Sequence, residues 1–235
     1  MKIKMNVLGM CFFLITVVQL HAQNAVAPLK KQSKNATLSF KLFGGPSLML
    51  AENSQNMDRQ LHRHANELKS GGHWGFEIHH LSSKKIGYGL IYKQFNSSNY
   101  DSNVELELNG SSFSGIENDI KISFIGPSII SNNLLGNQKS ALVSTLSIGR
   151  LKYHNNEYIE NLALRGSKAT LGMNVGLGYD FVLDKNIALG VGVHLLVGGI
   201  NELDIELNGV TQTEDLDERV NLTRLDLSIG LRWLL

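Results

Sequence analysis

From Thr37 to the last residue, large apolar side chains alternate with small or polar ones, most regularly over residues 169–199. Leu171, Met173, Val175, Leu177, Tyr179 and Phe181 take the odd positions, with Gly172, Asn174, Gly176, Gly178 and Asp180 between them. After Leu183-Asp184-Lys185-Asn186, the residues Ile187, Leu189, Val191, Val193, Leu195 and Val197 repeat the scheme against Ala188, Gly190, Gly192, His194 and Gly198. Successive side chains of a strand point to opposite faces, so this spacing predicts a hairpin with one apolar and one small or polar face. Comparable runs predict strands near 37–50, 72–81, 86–98, 119–131, 140–154, 167–183, 186–200 and 220–235. The connections after the second, fourth and sixth strands are short (82–85, 132–139 and 184–186), and the other four are longer and more polar.

Eight antiparallel strands with this rhythm can close into an up-and-down barrel. A soluble barrel keeps its apolar residues inside. Here the polar face carries glycine, serine and isolated charges, which make a poor dry core. Trp74, Phe76 and Ile78 oppose His73, Gly75, Glu77 and His79; Leu225, Leu227, Ile229, Leu231, Trp233 and Leu235 oppose Asp226, Ser228, Gly230 and Arg232. No helix is predicted to cover the apolar face, so lipid must. The predicted fold is all-β, an eight-stranded antiparallel up-and-down transmembrane β-barrel over residues 37–235. An internal duplication of a four-strand unit would account for two further matches. Gly75–Leu90 aligns with Gly176–Val191 at a shift of 101, and Glu107-Leu108-Asn109-Gly110 recurs as Glu206-Leu207-Asn208-Gly209 at a shift of 99.

Ahead of the barrel, residues 1–22 read as a secretory signal peptide: Lys2 and Lys4, an apolar run from Val7 to Leu20, and a small residue, Ala22, at the cleavage position. Cys11 invites a lipoprotein reading, but Met10 stands before it where that motif wants a small residue. Residues 23–36 form a polar, flexible lead-in. Losing Lys2 and Lys4 takes 22 Lys+Arg to 20 against 21 Asp+Glu, a balance that argues against a nucleic-acid partner. Cys11 is the only cysteine, so the processed chain has no disulfide framework and no thiol nucleophile.

The signal ending His21-Ala22-Gln23, the Gly-x-Gly strands of 174–193 and a last strand running to the C-terminus (LDLSIGLRWLL) together resemble the small outer-membrane β-barrel proteins of Bacteroidetes-type bacteria, some of them described as PorT-like. The resemblance is one of pattern and spans 37–235. It implies a place in the outer membrane of a Gram-negative cell and recognition of the C-terminal strand by the outer-membrane assembly machinery. Family members commonly end on an aromatic residue, whereas this chain ends on Leu235 with Trp233 on the outward face.

Lys41, Glu77, Lys93, Lys121, Asp180, His194, Asp226 and Arg232 take positions predicted to face inward. Isolated charges there must pair with one another or with water, which predicts a polar network that stiffens the barrel. The rival reading is a narrow or gated conduit for small solutes, with Gly172, Gly176, Gly178, Gly190 and Gly192 leaving room for it. Trp74, Phe76, Tyr88, Tyr92, Tyr179, Phe181 and Trp233 are the predicted lipid-facing and interface aromatics.

A lipid-modifying or hydrolytic enzyme would need a nucleophile, a base and an orienting acid at one height, with His194 as the candidate base. No Gly-x-Ser-x-Gly elbow is present, and the chain is expected to have no catalysis, cofactor or metal. His62, His64 and His73 lie in or beside the first long connection but lack zinc-ligand spacing. Met57, Leu61, Ala65 and Leu68 in that connection fall at helical spacing and predict a short amphipathic helix on the rim. The acidic stretch 201–218 and the stretch 99–119 read as exposed loops. They offer a surface to an extracellular partner, and the apolar wall offers one to outer-membrane lipid.

Overall fold

The structure, a computed structural model, describes residues 37–51, 59–82, 85–108, 111–136, 139–159, 162–207 and 209–235. The predicted signal peptide, the lead-in and Met57 lie outside them. In chain order the elements are β1 (Thr37–Met49), α1 (Arg59–Glu67), β2 (Ser70–Leu81), β3 (Ile86–Leu108), β4 (Ser111–Leu134), β5 (Ser140–Ile159), β6 (Leu162–Asp184), β7 (Ile187–Val197), β8 (Gly199–Leu207), β9 (Val210–Asn221) and β10 (Arg224–Leu234). Consecutive strands from β1 through β7 pair antiparallel, and β10 pairs with both β7 and β1. The ring of eight is therefore closed, with no free edge at membrane height. Leu38 and Leu235 exchange two backbone hydrogen bonds, 3.0 and 2.7 Å, where the first strand meets the last residue.

Period-two alternation sets the faces. On β6, β7 and β10 the glycines, Asp180, His194, Asp226 and Arg232 point in, and the large aliphatic residues point out. The outer wall exposes Leu42, Ile78, Leu90, Ile129, Val191 and Ile229 among many others. This is the fold of an eight-stranded transmembrane β-barrel. The shift of 101 residues maps β2–β3 onto β6–β7 with the same face inward, since an odd shift carries Glu77 and His79 to Gly178 and Asp180.

Two stretches expected as loops are hairpins. β3 and β4 stay paired from Ile86↔Ser131 to Leu108↔Ser111, with one irregularity between Asp101 and Glu105. β8 and β9 form a second hairpin that turns at Gly209, where φ is 81°. A positive φ of this kind suits glycine, which has no Cβ to clash. The matching Glu-Leu-Asn-Gly segments begin on the last residues of β3 and β8, where Leu108 pairs with Ser111 and Leu207 with Val210; Asn109, Gly110 and Asn208 lie outside the described residues. In the second hairpin the barrel strand breaks at Gly198, and β8 leaves the ring to pair with β6 at Leu164–Ser167.

The expected rim helix is α1. Leu61 packs with Leu164 against Ile116 and Ile159, and Arg63 reaches Asp101 on β3 at 2.6 Å.

Candidate functional site

Inside the ring the side chains form bands. Beside the short turns sits an apolar cluster of Leu81, Ile130, Ala141 and Val143, joined by Leu234. At the opposite end Met49, Phe95, Ile122, Leu151, Leu196 and Leu222 make a larger one. Between them lies the polar band.

The polar band has two halves, with the ring of Phe43 between them; Lys41 Nζ and Lys93 Nζ each stand 6.0 Å from its centroid. In the lower half Arg232 donates from Nε to Asp180 Oδ2 at 2.7 Å and from a terminal nitrogen to Ser39 Oγ at 3.0 Å. Lys41 lies 3.8 Å from the other Asp180 oxygen, and Arg232 lies 3.7 Å from Glu77. In the upper half Asp226 takes an ion pair from Lys93, a 3.1 Å pair from Arg224 Nε and a hydrogen bond from Ser47. Ser47 Oγ is 2.9 Å from His73 Nδ1, and Lys93 also donates to Asn174 Oδ1 at 3.2 Å. All these groups are buried. Buried charges are costly unless paired, and each acid here lies within 4 Å of at least one cation, although Glu77 Oε2 has no hydrogen-bond partner among the described residues.

Seven of the eight predicted network residues thus line the interior: Lys41, Glu77, Lys93, Asp180, His194, Asp226 and Arg232. Lys121 does not. It is exposed on the outer wall, because the inward positions of β4 are the even ones, with Ile116, Asn118, Ile122, Phe124, Ser128 and Ile130 all buried. Reading apolar as outward fails there: β4 has risen above the apolar belt, and its inner face joins the upper apolar cluster.

His194 lies inside but is not a base held by a serine and an acid. Its ring stacks on Phe43 at 5.6 Å and 9°, and its Nδ1 has no hydrogen-bond partner among the described residues. The serine-histidine-acid order occurs instead at Ser128, His79 and Glu77. Ser128 Oγ lies 2.7 Å from His79 Nε2, while His79 Nδ1 lies 3.9 Å from Glu77, beyond hydrogen-bond distance. All three are buried among the polar band's own charges.

Residues missed in the sequence are Arg224, Ser39, Ser47, Ser128 and Asn174. Arg224 continues the polar face of β10 two residues beyond Asp226, but the break between β9 and β10 disguises that register.

The inward glycines do not open a lumen. A Cβ at Gly176 would meet His194 Nδ1 at 2.4 Å, one at Gly190 would meet Asp180 Oδ1 at 2.1 Å, and one at Gly172 would meet Leu151 Cβ at 3.1 Å. Neighbouring side chains fill the space at these three, whereas a Cβ at Gly178 would meet the Val191 carbonyl oxygen at 3.1 Å and one at Gly192 the Leu177 carbonyl oxygen and Ser228 Oγ, each at 3.2 Å.

The seven predicted aromatics all sit on the outer wall, and several touch: Trp74 with Tyr92 at 5.4 Å, Phe76 with Tyr92 at 5.5 Å, Tyr179 with Phe181 at 4.8 Å. Trp233 packs on Phe40, at 5.6 Å. The histidines are dispersed. His62 meets Asn66, His64 meets Asn118 and Asn99, and His73 meets Ser47. No metal-holding group of three or more His, Cys, Asp or Glu occurs among the described residues.

A closed ring of eight strands, apolar outside and ionic inside, defines the class: this is a small transmembrane β-barrel with the fold of outer-membrane proteins. Among solved structures, a major outer membrane protein from Thermus thermophilus superposes with a TM-score of 0.57 at 12% identity, over 85% of this chain and 99% of that one. The outer membrane protease OmpT from Escherichia coli superposes at 0.50 and 9% identity, over 88% and 99%. Neisserial surface protein A gives 0.48 at 14% identity, over 84% and 96%. No protein-family model and no curated protein matches the chain.

Proposed function

We propose that the chain is an integral outer-membrane barrel that works through its surfaces, without a conducting lumen and without catalysis. The observation that carries this reading is the filled interior. Apolar clusters stand at both ends of an ion-paired band, and side chains occupy the places that Gly172, Gly176 and Gly190 vacate. A solute path would need a continuous row of hydrated polar groups, which the apolar clusters interrupt. A hydrolase would need its serine and histidine within reach of a substrate, whereas Ser128 and His79 are sealed inside.

What remains available is the outside. The outer wall suits lipid, and the hairpins β3–β4 and β8–β9 project beyond the barrel as a surface for an extracellular partner. β10, which closes the ring and carries Trp233 outward, is the strand for the assembly machinery to read. Kinship with the Bacteroidetes-type barrels, PorT-like or otherwise, and export through the signal peptide rest on the sequence pattern.

Orientation is testable because residues 37–235 contain no cysteine. A cysteine at Gln212, on β9, should react with a membrane-impermeant maleimide on intact cells, and one at Lys185, in a short turn, only after lysis. Labelling of the Lys185 position alone on intact cells would invert the barrel.

A further inference from the structure

The misplaced Lys121 leads to a cation cluster on the outer wall. Pairing of β4 with β5 sets Ile125 opposite Arg150, Ser123 opposite Lys152 and Lys121 opposite His154. All six side chains share the outward face, and successive ones along β5 are roughly 6.6 Å apart. Lys121 and Arg150 are exposed, and Lys152 is half-buried.

Beside and below Arg150 the wall is bare and apolar: its cross-strand neighbours Ile125 and Leu171 are 50% and 67% exposed, and Ile148, the next outward residue down β5, is 53%. The cations therefore begin where the belt of exposed aliphatic side chains ends, at the depth of lipid headgroups. Farther up the same face of β4, acids resume with Asp119 and Glu117.

Above the belt some cations are answered by acids, and others, Lys69, Arg165 and Arg219 among them, are not answered by any described residue. Arg63 pairs with Asp101 at 2.6 Å, and Lys168 pairs with Glu202 at 2.8 Å and Asp204 at 3.1 Å. Lys121, Arg150 and Lys152 form no ion pair with any described residue.

We propose that Lys121, Arg150 and Lys152 bind the phosphate groups of an outer-leaflet lipid, whose acyl chains lie on the apolar wall beneath them. An arginine fork suits phosphate oxygens in pairs, and lysines add point charges. Three unanswered cations exceed the single charge of a phosphodiester, so the fitting ligand carries phosphomonoesters, each about −1.5 to −2 near neutral pH. The assignment to the outer leaflet rests on the orientation given under Proposed function.

The test uses the full barrel refolded in detergent, with folding checked by heat-modifiable gel migration. Native mass spectrometry then titrates bis-phosphorylated lipid A, phosphatidylethanolamine and inorganic phosphate in parallel. Wild type should retain lipid A in preference to both. The triple variant Lys121→Gln/Arg150→Gln/Lys152→Gln should bind it on the order of a hundredfold more weakly, because each basic residue at an anionic surface contributes a several-fold gain. The charge-keeping Lys121→Arg/Arg150→Lys/Lys152→Arg should retain binding.

Equal retention by the glutamine triple would overturn the proposal. So would a wild type that holds lipid A no better than phosphatidylethanolamine, or no better than inorganic phosphate; neither result depends on whether the glutamine triple folds. An inverted barrel would show in the cysteine labelling and leave these in-vitro affinities unchanged, so the two failures are distinguishable.

Discussion

His79 Nε2 lies 2.7 Å from Ser128 Oγ although a whole strand, β3, runs between their two strands. The register explains it: His79 stands opposite Gly89, and Gly89 opposite Ser128. With no side chain at 89, the imidazole crosses β3 inside the barrel and joins β2 to β4. A Cβ at 89 would fall 1.8 Å from the Ile78 carbonyl oxygen, so the two backbones meet there as well. Ser128→Ala should destabilise the barrel by about 1–3 kcal/mol, the penalty for a buried polar group left unpaired. Gly89→Ala should destabilise it more, since backbone must shift. Urea titration in lipid vesicles checks both, and a Gly89→Ala no worse than Ser128→Ala would contradict the close approach.

Among the described residues, Asp226 is the one acid joined to both Lys93 and Arg224. Asp226→Asn would leave two buried cations facing each other without an answering charge. Breaking such a buried pair should destabilise by roughly 3–5 kcal/mol. Replacing Lys93 by methionine in the same chain should recover part of that loss by removing one of the stranded charges. A double variant no more stable than Asp226→Asn alone would show that the pair is not the source of the effect.

The extent to which the chain was legible beforehand follows from where alternation holds. Within the belt, one face meets lipid and the other meets charges, so β2, β3, β6, β7 and β10 could be assigned residue by residue. Above the belt the outer face meets water and the inner face meets an apolar cluster, which reverses the rule. Lys121 falls beyond that crossover, with Ile122 and Phe124 turned inward beside it. The stretches 99–119 and 201–218 are rich in polar residues and so resemble loops, although most of their described residues pair as hairpins. The Ser128–His79 contact depends on which residues share a height around the ring, and single-strand periodicity carries no such information.

Val191 and Gly192 separate the two faces. Val191 is 45% exposed on the wall, while Gly192 points inward with room for a Cβ only 3.2 Å from Leu177 O and Ser228 Oγ. Val191→Arg should cost about 2–4 kcal/mol near the bilayer midplane. Gly192→Ser adds a small polar group to a polar face at a tight position and should cost about 1 kcal/mol. Folding in vesicles should rank them in that order, and the reverse order would mean a register shifted by one residue.

Lys168 ties hairpin β8–β9 to β6 through Glu202 and Asp204. Hydrogen bonds from Thr213 first and Lys168 second hold Asp204 below the usual carboxylate range, and hydrogen bonds to Glu202 and Asp204 raise Lys168. A depressed acid contributes above its unfolded pKa and is lost as pH falls through the folded one. A raised lysine contributes below its unfolded pKa and is lost as pH rises through the folded one. The tie should therefore hold across the neutral range and release in acid below the ordinary carboxylate titration. Lys168→Ala should speed amide exchange in residues 199–221 at neutral pH and leave β1–β5 protected. Unchanged exchange in the hairpin would assign its position to backbone pairing alone.

The filled interior is tested most directly by conductance. Purified wild-type barrel, reconstituted in a planar bilayer in molar salt at moderate voltage, should give no stable single-channel steps. A variant carrying Phe43→Ala and Phe95→Ala, which empties the ring between the two ionic halves and part of the upper cluster, is the control in which steps could appear. Uniform, long-lived steps from the wild type would contradict the account, because ions would then be crossing both apolar clusters.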